Sequence, residues 1–339
     1  MAGSRLELIF GGTPPEGRML LIGAGAATDL GPFDPAQVQI VQGYFPDYQA
    51  LKARGYDTVT QAEGQFDGAV VFLPRARAEA RARIAQAAAS LTPGASLWID
   101  GQKTDGVDAV IKEMRGLAAV DQIQSRAHGK IFRVTPPPAD WLPEGWAARD
   151  HEVAPGIVTR PGVFSADGPD PASQALAAAL PDKLPTRIVD LGAGWGWLSA
   201  EILKRPGVEV LHLVEADAAA LECARRNVRD PRAHFHWADA RDFHLPEPVN
   251  GIVMNPPFHE GRAADPRLGA GFIRAAAGLL TGAGRLWMVA NRHLPYEQAL
   301  RECFAEVSEL GGDSRFKILT ASGARRPAAG RPQPKGRRR

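Results

Sequence analysis

Residues 187–197 read Arg187-Ile-Val-Asp190-Leu-Gly192-Ala-Gly194-Trp-Gly196-Trp197. Arg187–Asp190 is a short strand by its apolar run, and three glycines follow before an apolar helical stretch begins. Glycine at a strand-to-helix turn lets the backbone reverse tightly and approach a ligand that a side chain would hold off. Nicotinamide-cofactor enzymes place G-x-G-x-x-G at the same point, so the glycines alone do not select a ligand. Here the third glycine comes one residue early, and Trp197 stands at the last glycine of the dinucleotide pattern. That spacing suits a helix start that does not face a pyrophosphate.

Outward from this turn the rhythm repeats. Strands are predicted at Val210–Val214, His234–Trp237, Ile252–Met254 and Arg285–Ala290, alternating with Ala-rich helical segments. This is the pattern of a parallel sheet covered on both faces. The first half has the same order: Met19–Ile22 ending in Gly23-Ala-Gly25, then Val38–Val41, Ala69–Leu73 and Ser96–Asp100, with a helix over Ala76–Ser90. Between the halves, Pro136-Pro137-Pro138 and Trp141-Leu-Pro-Glu-Gly-Trp146 interrupt both periods. The expected fold is therefore α/β with two tandem Rossmann-like domains. The first spans 1–138, a linker 139–150, the second domain 151–322, and a basic tail 323–339.

At 339 residues, 45% hydrophobic and 23% charged, the chain can bury two cores. No apolar run approaches membrane-spanning length, the N-terminus lacks a secretory pattern, and two cysteines do not make a disulfide framework. A cytoplasmic location and a monomer are expected. Seven basic residues and no acid lie between Arg325 and Arg339, which leaves the rest of the chain at −5 against an overall +2. The Pro-, Gly- and Ala-rich tail cannot bury a core, and reads equally as a phosphate-binding arm or a solubilising end.

Three further positions carry chemistry. Glu215 ends the second strand, where a carboxylate can accept both hydroxyls of a ribose. Asp239 follows the third strand and can accept from an adenine amine, while the backbone N–H of Ala240 can reach the ring. After the fourth strand stands Asn255-Pro256-Pro257-Phe258. The prolines fix the loop and remove donors, so the Asn255 side-chain oxygen and the Pro256 carbonyl can each accept one hydrogen of a planar amine. Phe258 offers a face for a flipped base to stack on. His234 and His236 alternate on one strand but lack a third ligand at a fitting spacing, so no metal is expected.

In the first half the second strand ends in Gln42-Gly43-Tyr44 without an acid, and Pro74-Arg75-Ala76-Arg77 stands in place of the amine-binding tetrapeptide. That copy is expected to be degenerate and to hold no such ligand. Arg75, Arg77, Arg81 and Arg83 read equally as an RNA platform or a solvated helix face.

The chain resembles the class I S-adenosylmethionine-dependent methyltransferases, and within them the bacterial small-subunit (16S) rRNA guanine-N2 methyltransferases and their large-subunit relatives. The marks are Pro161-Gly-Val-Phe164-Ser165 with Asp167-Gly168 and Asp170, the glycine turn 190–196, Asn255-Pro-Pro-Phe258-His259, Val289-Ala-Asn291 with Leu294-Pro-Tyr296, and Arg315-Phe-Lys317. The resemblance covers 151–322 and extends more faintly into the first half. It implies S-adenosyl-L-methionine as cofactor, held by Asp190, Gly192, Gly194, Glu215, Asp239 and Ala240. It also implies that the Phe164–Asp170 stretch closes over the donor and target, and that Asn255, Pro256 and Phe258 hold the target. The pocket residues alone leave guanine N2, adenine N6 and a protein glutamine amide open; the family implies guanine in ribosomal RNA or the small subunit. A nicotinamide-dependent oxidoreductase explains the glycines and Glu215 but gives no reason for Asn-Pro-Pro-Phe. A donor-free RNA-binding protein gives no reason for the complete second half.

Overall fold

The computed structural model describes residues 4–13, 15–137, 140–257, 259–260, 263–264 and 266–325. It divides into two compact units, one drawn from Met1–Ala166 with Asp217–Ala220, the other from Asp167–Ala216 with Leu221–Arg339.

The first unit contains α1 (Arg5–Phe10), β1 (Met19–Ile22), β2 (Val38–Val41), α2 (Phe45–Ala53), β3 (Asp57–Val59), β4 (Phe66–Phe72), α3 (Arg77–Ala89), β5 (Leu91–Gln102), α4 (Val107–Arg115), β6 (Ala119–Arg126), β7 (Gly129–Thr135) and the hairpin β8 (His151–Ala154) and β9 (Ile157–Thr159). Its seven-stranded sheet runs β3-β2-β1-β4-β5-β7-β6, with β7 antiparallel to both neighbours.

The second unit begins with α5 (Pro171–Ala179), β10 (Arg187–Leu191), α6 (Trp197–Leu203) and β11 (Val210–Glu215). It continues through α7 (Ala218–Asn227), β12 (Ala233–Trp237), β13 (Val249–Met254), the short pair β14 (His259–Glu260) and β15 (Ala263–Ala264), and α8 (Pro266–Leu279). It ends with β16 (Leu280–Asn291), α9 (Tyr296–Cys303), β17 (Phe304–Gly312) and β18 (Phe316–Ala324). The sheet order, β12-β11-β10-β13-β16-β18-β17, is that of the first unit element for element. The duplication legible in the strand rhythm is therefore a duplication of topology.

Burial explains why the strands read as continuous apolar runs. In β10, Ile188, Val189 and Leu191 are all fully buried, as expected for a strand covered on both faces. Val189 and Leu191 pack with Val214, Ile252 and Met254 beneath Phe272, Ile273 and Ala276 of α8 and Leu300 of α9. On the opposite face, Ile188, Leu211, Leu213 and Val253 meet Leu176 of α5, Ile202 of α6, Ala224 of α7 and Val228 just after it. Period two sorts neighbouring residues to opposite layers. In the first unit, Trp146 is 6% exposed and joins the core around Leu97, Ile99 and Phe132, with Trp141 and Leu142 packed against it. These residues of the proline-punctuated stretch are thus part of the first unit's packing.

Strand order reverses at β10, which pairs in parallel with β11 on one side and β13 on the other. The crevice beyond the carboxyl ends of the strands at such a reversal is where open α/β sheets bind ligands. Asp190 pairs with Val253 and Leu191 with Val214. The glycine turn, Glu215 and Asn255 consequently leave three adjacent strands at the same level.

Candidate active site

The glycine turn is built for a close approach. Gly192 and Ala193 donate backbone N–H groups to the Val214 carbonyl at 2.9 and 3.0 Å, and Gly194 donates to Glu215 Oε2 at 2.7 Å. Gly196 has φ +88°, and a Cβ there would stand 2.9 Å from Val228 and 3.2 Å from Ala224 of α7, so any side chain would push α6 away from α7. Gly194 differs. Its φ is +56°, and a Cβ would meet nothing within 4 Å. The space beside this backbone is open for a ligand.

Beneath the turn, Asp190 is fully buried. Ser199 donates to its Oδ2 at 2.6 Å, while Oδ1 has no hydrogen-bond partner. Burial, reinforced by the negative charge of Glu215 and opposed by the Ser199 hydroxyl, pushes the Asp190 carboxyl up to about 7. A buried acceptor without a donor is costly unless a ligand supplies one.

Asp239 and Ala240 follow β12, whose last residue pairs with Glu215. Trp237 Nε1 donates to the Ala216 carbonyl at 2.9 Å, which fixes that ring at the strand end. Both carboxylate oxygens of Asp239 are engaged by Arg241, with Nη2 to Oδ2 at 2.6 Å and Nε to Oδ1 at 2.9 Å. Each carboxylate oxygen has two lone-pair directions, so acceptor capacity remains. Ala240 is 4% exposed, and no acceptor among the described residues takes its backbone N–H. Sequence reasoning missed the Arg241 clamp, although the Asp-x-Arg spacing is visible there.

Asn255, directly after β13, is half-buried, and Pro256 is buried. Its amide Nδ2 donates to Asp170 Oδ2 and to Ser173 Oγ, both at 2.9 Å. No donor among the described residues reaches Oδ1 or the Pro256 carbonyl. Two acceptors thus stand beside an open glycine turn. Phe258 lies outside the described residues. Sequence reasoning also missed Asp170 and Ser173 as partners of Asn255, which are 85 and 82 residues away along the chain. The available signal is Asp170-Pro171 with Ser173, a helix N-cap: Asp170 Oδ2 also accepts from the Ser173 backbone N–H at 2.8 Å.

Phe164 belongs to the first unit and is 59% exposed, next to Ser165 at φ +53°. The histidine pair gains a third member that its spacing does not mark, because His212 Nδ1 lies 3.0 Å from His236 Nε2 and its ring 5.4 Å from that of His234. Burial, then the neighbouring His236 and His234, lowers His212 to about 4. Among the described residues, no group of three or more His, Cys, Asp or Glu is arranged to hold a metal ion.

In the first unit the matching positions bond internally. Gln42, standing where the second unit has Glu215, donates to the Ala24 carbonyl at 2.7 Å, and Asp47 accepts the Ala26 N–H at 2.8 Å. The place of a Cβ on Gly23 is taken by the Arg83 guanidinium, which donates to the Phe72 carbonyl at 3.0 Å and pairs with Glu79. Arg77 and Arg81 both pair with Glu113. Three arginines of that helix are thus held in ion pairs within the unit.

Two family profiles match the chain. One, described as the methyltransferase small domain, matches residues 155–320, and the other, its N-terminal domain, matches 16–147. A Hahella chejuensis protein named ribosomal RNA small subunit methyltransferase C is 32% identical over 279 residues, spanning 78% of this chain and 80% of the relative. A Psychromonas ingrahamii protein of the same name is 29% identical over 77% of each chain. Among solved structures, a T. thermophilus 16S rRNA N2 G1207 methyltransferase, in complex with AdoMet and guanosine, superposes with a TM-score of 0.78 at 25% identity. That match covers 93% of this chain and 91% of the other.

Proposed function

The chain belongs to the ribosomal RNA small subunit methyltransferase C family, and from that premise we propose that it methylates the exocyclic N2 amine of a guanine in 16S rRNA, with S-adenosylmethionine as donor. The observation that carries this reading is the Asn255 side chain, whose amide hydrogens are both taken by Asp170 and Ser173, leaving an acceptor at the strand end beside the glycine turn.

The residues present fit the donor. Gly194 leaves room beside its backbone, Asp190 Oδ1 has an unfilled acceptor position, and the Ala240 N–H has no acceptor among the described residues. Glu215 would accept the ribose hydroxyls, Asp239 would accept from the adenine amine, and the 190–196 turn would face the rest of the nucleoside. The assignment of Phe164 to the donor, and of Phe258 to stacking on the target base, rests on the family stretch and on residue chemistry alone.

The donor supplies an already activated methyl group, so the protein's task is alignment. The guanine N2 lone pair is delocalised into the ring. Asn255 Oδ1 and the Pro256 carbonyl accept its two hydrogens, favour a pyramidal nitrogen and aim the lone pair at the methyl carbon. The bound donor would supply an electrophilic methyl carbon and would retain on sulfur the electron pair of the C–S bond as the C–N bond forms. The resulting cationic amine loses a proton to water, so no strong base is needed.

The first unit, with Gln42, Asp47 and Arg83 filling its own turn, binds no donor in this reading and serves as a structural or RNA-contacting half. No helix among the described residues is long and apolar enough to cross a membrane, and a cytoplasmic monomer acting on rRNA or the small subunit is proposed. The test is mass-spectrometric nucleoside analysis of 16S rRNA incubated with enzyme and donor. N2-methylguanosine is expected, and N6-methyladenosine in its place would overturn the guanine reading.

A further inference from the structure

The Asn255 amide is held by two groups that differ in what they permit. Ser173 Oγ can donate or accept, so alone it would tolerate either end of the amide. The Asp170 carboxylate accepts hydrogen bonds, and its Oδ2 stands 2.9 Å from Asn255 Nδ2. Only the –NH₂ end of residue 255 can face it favourably. With that end fixed, the planar amide presents its oxygen on the other side, and an oxygen there suits an incoming amine. A reversed amide would set its oxygen against the Asp170 carboxylate and meet the amine donor to donor.

We infer that Asp170 is a positioning residue that locks the amide orientation of Asn255 and thereby makes this site require asparagine, rather than aspartate, at 255. The inference rests on the proposed amine-methylating function. It also explains why Asp170 is tied down in turn. As N-cap of α5 it accepts the Ser173 N–H at 2.8 Å, and Ser173 is 9% exposed. The lock is anchored to a helix start within the same unit, not to a free loop.

Substitution Asp170→Asn is the reference for this role, because asparagine caps a helix about as well as aspartate and the oxygen that takes the Ser173 N–H is the one that faces Asn255. Thermal stability and single-turnover transfer should therefore both stay near wild type, since the asparagine oxygen takes the place of Oδ2 for the Ser173 N–H and for Asn255 Nδ2 alike. Asn255→Asp should lose on the order of 10²–10³-fold at neutral pH, because two carboxylates then oppose each other at hydrogen-bonding distance. Its residual rate should rise as pH falls and the pair comes to share a proton.

Combined as Asn255→Asp with Asp170→Asn, the two changes should restore complementarity. The carboxylate introduced at 255 accepts with one oxygen from the amide introduced at 170, which turns its –NH₂ inward and gives up the Ser173 N–H, and with the other from the substrate amine. The double variant should exceed the Asn255→Asp enzyme by roughly tenfold or more, and its acid-side gain should vanish. A lost cap would give neither the rescue nor the pH change. Equal rates for Asn255→Asp with and without Asp170→Asn would overturn the assignment of Asp170 while leaving the reaction intact. A wild-type enzyme that makes no N2-methylguanosine would remove the premise and this inference together.

Discussion

The backbone N–H of Gly194 donates to Glu215 Oε2 at 2.7 Å, so the carboxylate ending β11 is tied to the glycine turn that follows β10. Two strand ends meet through one charge-assisted bond, and the turn is shaped before any ligand arrives. A hydrogen bond to a charged group contributes about 1.5–3 kcal/mol. Replacing Glu215 with Ala removes this bond together with the proposed ribose acceptor. Donor affinity measured by calorimetry should fall by roughly 10–100-fold. Glu215→Gln can keep one polar contact and should fall less; an unchanged affinity in both would exclude Glu215 from the donor site.

The first unit should bind no donor. Gln42 and Asp47 satisfy its glycine turn, and Arg83 occupies the space beside Gly23. Titration with the donor should therefore give a stoichiometry of one per chain. A value of two would mean that the first copy opens to take a ligand.

Asp190 should impose a pH dependence on the ligand-free protein. Its folded pKa, about 7, lies above the value of 3.8 for an unperturbed carboxyl. Between these values the native state keeps a proton that the unfolded chain has released, so stability from this group falls as pH rises. His212 acts oppositely. Lowered to about 4 from 6.5, it contributes stability that is lost as pH falls through that window. The two slopes overlap, and the difference between wild type and Asp190→Asn isolates the first. The Asp190→Asn variant should melt higher than wild type above pH 7 and gain nothing below pH 4. Parallel melting curves from pH 4 to 8 would contradict the buried, neutral state of Asp190.

The basic tail gives a salt-dependence test. Only Arg325 of the seven basic residues is among the described residues. Removing 325–339 should lower RNA affinity and flatten its dependence on salt, because fewer counterions are released, while donor affinity stays constant. If affinity and slope are both unchanged, the tail is a solubilising end.

The fold is legible in the sequence because both of its signals are local. Apolar strands such as 187–191 and 249–254 alternate with helices, and the glycines mark the turn after β10. Asn255 is legible for the same reason, since its prolines lie beside it. The partners that orient Asn255 are not. Asp170 and Ser173 belong to a helix start more than 80 residues earlier, and nothing local in Asp-Pro-Ala-Ser distinguishes an ordinary cap from one that also grips an amide. Asp239 shows the reverse limit. Its position follows from the strand pattern, but its pairing with Arg241 depends on side-chain conformation that spacing does not fix. The arginines of α3 read as a basic face because their partners, Glu79 and Glu113, come from the helix itself and from α4.

The most direct measurement is single-turnover methyl transfer to 16S rRNA by wild type and Asn255→Ala, with donor affinity determined beside it. Asn255 Oδ1 is proposed to accept an amine hydrogen as the nitrogen becomes pyramidal, so its loss should slow transfer by roughly two to three orders of magnitude. Donor affinity should barely move, because Glu215 and the 190–196 turn carry it separately. The product of the wild-type reaction should be N2-methylguanosine. Near-native transfer by the Asn255→Ala enzyme would show that this loop is a structural turn and that the amine is held elsewhere.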